Sequence, residues 1–110
     1  MENQFVYAIY DHSMEQFTSQ FFAIHDQVAI RTVMEALRDR NTTLCKYPAD
    51  FELFRVGLFN VISGNLIPEN EGINKSISKV STLYYAVHPD EAPSVNPEGS
   101  DVSAKATKIV

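Results

Sequence analysis

The sequence predicts an α+β fold, a small and mainly antiparallel sheet with one principal helix packed on it. Three observations carry this expectation. Short apolar runs at Phe5–Tyr10 and Phe51–Phe59 have strand composition. Between them, Ile30, Val33, Met34 and Leu37 repeat at the i, i+3, i+4, i+7 spacing of one helical face. From Pro89 onward the chain has Pro89, Pro93 and Pro97, several serines and no aromatic residue, so that stretch cannot bury enough surface to offset its ordering entropy. The expected organisation is one α+β domain over residues 1–88, with room for a second short helix, followed by a flexible acidic tail over 89–110.

The elements follow in order. Phe5-Val6-Tyr7-Ala8-Ile9-Tyr10 is apolar on both alternating faces and reads as a covered, central strand. Asp11-His12-Ser13 breaks it, and Gln20 to Ile24 reads as a second strand, reached by a link longer than a tight hairpin. Asp26 is a suitable N-cap for a helix from Asp26 to Asp39, because its carboxylate can accept from first-turn N–H groups. Arg31, Glu35 and Arg38 take the face opposite the apolar stripe, with Arg31 and Glu35 one turn apart. Pro48 in Tyr47-Pro48-Ala49-Asp50 prevents helix from continuing.

The third strand, Phe51–Phe59, alternates Phe54, Val56 and Leu58 against Phe51, Leu53 and Phe59, and its Gly57 marks a bulge or a close backbone approach. Ser63-Gly64-Asn65 signals a turn into a short return strand at Leu66-Ile67. In the segment from Ile73 to Val87 the spacing of Ile73, Ile77, Val80 and Tyr84 predicts a short helix that becomes extended near Leu83.

Composition narrows the function classes. Nine basic residues against 14 acidic ones give a net charge of −5, which argues against a strongly electrostatic nucleic-acid binder. The expected tail holds −2 of that charge and the body −3. A single cysteine, Cys45, excludes an internal disulfide framework, and His12, His25 and His88 have no metal-ligand spacing. No apolar run is long enough to cross a bilayer, and the N-terminus lacks the pattern of a secretory signal, so a cytosolic setting with no membrane partner is expected.

Enzymatic chemistry has little support. His12 beside Asp11, and His25 beside Asp26, are sequence neighbours whose side chains diverge on an extended chain, and they read better as a turn and a helix cap. Cys45 reads as a small buried residue rather than a nucleophile. Four glycines are too few and too scattered for a phosphate loop. The expectation is therefore a non-enzyme without cofactor or metal. The one suggestive pattern interleaves cations with aromatics: Arg31, Arg38, Arg40, Lys46 and Tyr47 around the helix end, Arg55 in the third strand, and Lys75, Lys79, Tyr84 and Tyr85 in an acid-free stretch. A single-strand binder needs cations along a phosphate track and aromatic faces for stacking. Core aromatics and a solvated helix face account for the same residues.

One set of segments is distinctive: Val6-Tyr7-Ala8-Ile9-Tyr10-Asp11, Phe21-Phe22-Ala23, Ala29-Ile30-Arg31, the run Lys46-Tyr47-Pro48-Ala49-Asp50-Phe51-Glu52-Leu53-Phe54, Val56-Gly57-Leu58-Phe59, and Gly64-Asn65-Leu66-Ile67-Pro68. Together they resemble the small non-structural protein of gokushoviruses, single-stranded DNA bacteriophages of the Microviridae. The chain departs from that pattern near Leu58, Asn60 and Val61, where the family commonly carries acid. The resemblance implies a non-virion accessory protein in the bacterial host cytoplasm that binds single-stranded DNA during genome replication or packaging, and it supplies no residue roles. An adaptor that contacts a phage replication or capsid protein without touching DNA is the other expectation. The edge strands of so small a sheet also suggest a homo-oligomer, most simply a homodimer.

Overall fold

A computed structural model describes residues 3–93. The strands β1 (Gln4–Asp11), β2 (Gln16–Ala23), β3 (Phe51–Phe59), β4 (Leu66–Pro68) and β5 (Lys75–Lys79) form one antiparallel, 5-stranded sheet in the order β2-β1-β3-β4. β5 shares the outer edge of β3 with β4. It runs beside Glu52–Arg55, while β4 runs beside Gly57–Phe59. Helices α1 (Asp26–Leu37), α2 (Thr43–Lys46) and α3 (Val80–Val87) complete the α+β architecture. The expected tail begins with a described 3-10 turn, Pro89–Glu91, followed by Ala92 and Pro93; 94–110 lie outside the described residues.

The core lies on one side of the sheet. Tyr7 and Ile9 of β1, Phe51 and Leu53 of β3, Ala29, Val33 and Leu37 of α1, Cys45 of α2, and Val80, Leu83 and Tyr84 of α3 form one buried cluster. Fully burying a side chain such as Leu37, Leu53 or Val80 contributes about 1.5–3 kcal/mol each. The buried stripe of α1 is Ala29/Val33/Leu37, with Ile30 and Met34 packed at its margin. The helix stops at Leu37, two residues before Asp39, and Glu35 pairs with Arg38 at 3.7 Å rather than with Arg31. His25, not Asp26, holds the N-cap position, and no side chain caps there.

Three further expectations need correction. The β1–β2 link is a short hairpin, because β2 reaches back to Gln16. Asp11 closes the turn by accepting from Ser13 N at 2.9 Å and from Ser13 Oγ at 2.6 Å, and Glu15 turns left-handed with φ 54°. A left-handed Ser19 (φ 49°) inserts a bulge opposite β1, which hid the strand's alternation in the sequence.

The alternation in β3 also breaks. Val6 pairs with Gly57 and Tyr7 with Arg55, so Val56 is an extra residue and every side chain beyond it changes face. Phe59 therefore joins Phe54 on one face, and Leu58 stands opposite Phe5 on the other. Gly57 is both a bulge neighbour and a close approach: a Cβ there would lie 2.8 Å from the Ile67 carbonyl oxygen.

In the segment from Ile73 to Val87 the order is reversed, with strand β5 first and helix α3 second. Val80, Leu83, Tyr84 and Val87 are the helical stripe, and Ile77 belongs to an edge strand that turns it toward the core. Val80 fits both patterns, which made the earlier spacing look helical.

Candidate nucleic-acid interface

The face of the sheet away from the helices is built from the alternate residues of three strands. Register places Tyr10 of β1 opposite Phe17 of β2, and Ala8 opposite Phe54 of β3. The three rings meet edge to face: Tyr10–Phe17 centroids are 4.8 Å apart, Phe17–Phe54 5.6 Å and Tyr10–Phe54 6.2 Å. Further along the same face Phe22 lies 5.6 Å from Phe59. Among the described residues no helix covers these rings, and Phe17 and Phe22 are 37% and 55% exposed. A shallow apolar cleft of about 250 Å³, lined by Val6, Val56, Gly57, Leu66, Ile67 and Pro68, adjoins them.

The polar content of this face is small. His12 Nε2 lies 3.0 Å from Glu52 Oε1, and the His12 ring packs against Tyr10 with centroids 4.8 Å apart. Ser76 donates to the other Glu52 oxygen, and these contacts hold the Glu52 carboxyl below its ordinary range, the Ser76 hydroxyl foremost. Lys79 stands opposite Glu52 in register and is exposed.

The ten cationic and aromatic residues expected to form a nucleic-acid site do not converge. Arg55 is 18% exposed and turned to the helix side, where its guanidinium binds Glu69 through two hydrogen bonds of 2.9 Å, reaches Asp26 Oδ1 at 3.2 Å and lies 4.5 Å over the Phe5 ring. Asp26 also accepts from the Tyr7 hydroxyl at 2.6 Å and takes Lys75 Nζ at 3.8 Å. Burial, with Asp26 next, pushes the Tyr7 hydroxyl well above its usual range. This cluster ties the first turn of α1 to β1, β3 and β5, so Arg55 and Lys75 are engaged in holding the fold together.

Arg40 is occupied at the other end of the molecule. It binds Glu91, donates to the Tyr84 hydroxyl at 3.0 Å and meets His88 Nδ1 at 3.1 Å. The Arg40 guanidinium and then the Tyr84 hydroxyl hold the Glu91 carboxyl down at about 2. Tyr84 is buried and Tyr85 half-buried against the core, 5.4 Å from it. Arg38 is paired with Glu35. Among the described residues Arg31, Lys46 and Lys79 have no carboxylate within 4.0 Å, and Arg31 and Lys46 lie on helices, away from the open face. Tyr47 is exposed beside Lys46.

The other candidates are placed as follows. Cys45 is buried, and its thiol sits 3.4 Å from the Leu37 carbonyl and 4.0 Å from His88 Nε2. That imidazole nitrogen is itself 2.9 Å from the Leu37 carbonyl and carries its proton there, so it is not free to accept the thiol proton. His25 is exposed before α1. A cleft of about 560 Å³ on the helix side is lined by polar residues such as Asp11 and Thr43 together with Ala36, Leu44 and Phe51, but not by His12, His25 or Cys45. Sequence reasoning missed the open-face aromatics as a group. The only available signal was the alternation of Tyr10, Phe17 and Phe54, which two bulges obscure.

The described residues form a small α+β fold, with one sheet that packs helices on one face and carries a cluster of rings on the other. The chain matches the model of the Phage ORF5 protein family over residues 4–83 and belongs to that family; it is a phage protein. No curated protein and no solved structure matches it.

Proposed function

We propose that this phage accessory protein is of the gokushovirus type and binds single-stranded DNA in genome replication or packaging, with the open sheet face as the contact. The observation that carries the reading is the set of rings Tyr10, Phe17, Phe54, Phe22 and Phe59 on a face that no described helix covers. Unpaired bases stack on such rings whatever their identity, each contributing about 1–3 kcal/mol. Lys79 at the rim is the cation best placed to meet a phosphate. Because cations near the face are few, binding rests on stacking, and its salt dependence is shallow.

The test is an anisotropy titration of the full chain with a labelled single-stranded oligonucleotide at low and moderate salt. Binding that weakens only modestly with salt supports the reading; no binding at low salt sinks it. The adaptor reading is favoured by one observation, the position of Glu52 amid these rings, because a carboxylate there repels phosphate but suits a protein partner. Recovery from infected cells with a phage replication or capsid protein and no nucleic acid would replace the DNA reading with the adaptor.

A further inference from the structure

The two edges of the sheet are built differently. One edge is β2, eight residues long, which among the described residues pairs only with β1, so no described strand lies on its outer row of backbone groups. Its sequence, Gln16 to Ala23, contains no charged residue and no proline. The opposite edge carries the features that discourage strand addition. β4 is three residues long and includes Pro68, β5 has Lys75 and Lys79 at its two ends, and between them Asn70, Glu71 and Gly72 are all left-handed. Against those features β2 has a single bulge at Ser19, and its Gln20–Ala23 stretch stays regular, which marks β2 as the edge open to pairing.

We infer that β2 pairs antiparallel with β2 of a second copy of this chain, joining two sheets into one of ten strands. A two-fold contact pairs residue i of the strand with residue j of its copy and j with i, so a strand with charge brings that charge close to its like. The chain carries −5, and β1 has Asp11, β3 has Glu52 and Arg55, and β5 has two lysines. Among the described strands longer than three residues, β2 alone carries no charged residue, so its pairing with a copy opposes no charges in any register. The Ser19 bulge divides the strand and leaves Gln20–Ala23 as the regular stretch for the new ladder. Phe22 lies in that stretch, and Ile24 just beyond it is 47% exposed. Pairing there sets a Phe22–Phe59 pair on each side of the junction, so the two open faces run on as one. The inference stands whether that face takes DNA or protein.

The experiment is light scattering on the full chain without nucleic acid, over a dilution series, for the wild type and three variants. The wild type is expected at twice 12.4 kDa, falling to 12.4 kDa on dilution. Gln20→Lys places like charges at the junction and weakens association roughly tenfold or more, with melting and circular dichroism retained. Phe22→Lys does the same through a second position, and Ile67→Lys on the protected edge leaves the dimer intact. A wild type that is monomeric at roughly 100 µM overturns the inference. So does a folded Gln20→Lys or Phe22→Lys chain that dimerises as tightly as the wild type.

Discussion

The helix-covered face of the sheet carries Tyr7, Ile9, Leu53 and Arg55, and the open face carries Tyr10, Phe17, Phe54, Phe22 and Phe59. Both faces are rich in rings, but the rings do different work. On the covered side Tyr7 is fully buried, stacks on Phe21 at 5.6 Å and donates its hydroxyl to Asp26, so its ring is closed in and its polar atom has a partner. On the open side the rings touch one another and then solvent. A cation on the covered side needs two carboxylates to sit there; the open side has almost no charge to compensate. The comparison teaches that aromatic content alone does not locate a binding surface. What locates it is the face that packing leaves uncovered.

Removing the cation on the covered side should have the largest effect. Arg55→Met leaves Asp26 and Glu69 partly buried without their guanidinium, and the expected loss is about 3 kcal/mol, near the lower end for a broken buried pair because water still reaches it. Urea unfolding measures this, and a loss within experimental error would show that the cluster is only a surface contact. Gly57→Ala should come next, at about 1–3 kcal/mol, because the Ile67 carbonyl is backbone and cannot simply turn aside. Thermal melting reads that shift, and an unchanged midpoint would mean that β4 moves freely from β3.

The open face should respond in the opposite way. Phe17→Ala with Phe54→Ala is expected to weaken oligonucleotide binding by roughly tenfold per ring, while the stability change stays smaller than for Arg55→Met. If stability falls and affinity does not, the rings belong to packing and the distinction between the faces collapses. The smallest effect should come from Glu91. Its carboxyl is held at about 2 in the folded chain, below the ordinary value of 4.5. Its contribution is therefore complete above about pH 4.5 and disappears as pH falls toward 2. Urea midpoints of the wild type and Glu91→Gln are expected to differ slightly at neutral pH and to converge near pH 2.

Much of the architecture was legible because it depends on local pattern. The α1 stripe needed only helical spacing, β3 needed a run of apolar residues after Pro48, and the burial of Cys45 followed from its type. What failed did so at irregularities. Ser19 and Val56 each insert one residue, and period-two reading cannot survive an insertion that leaves no composition signal. The scatter of the expected site residues has a different reason. Arg40 and Arg55 look available in sequence, yet their partners lie 51 residues away at Glu91 and 14 away at Glu69. Neutralisation across such separations is a property of the tertiary structure.

The sheet's strand order also governs how the chain reaches this structure. β1 and β2 meet through a short turn, but the central pairing joins Asp11 to Phe51 and Gln4 to Phe59. The chain must therefore close a loop of about forty residues, with β2 and α1 inside it, before Leu53 finds the core. The hairpin and α1 can form while the C-terminal half of the domain is still unpaired. During that interval β1 offers a second open edge beside the uncharged β2. The central seam is thus the pairing with the largest loop-closure cost in the sheet.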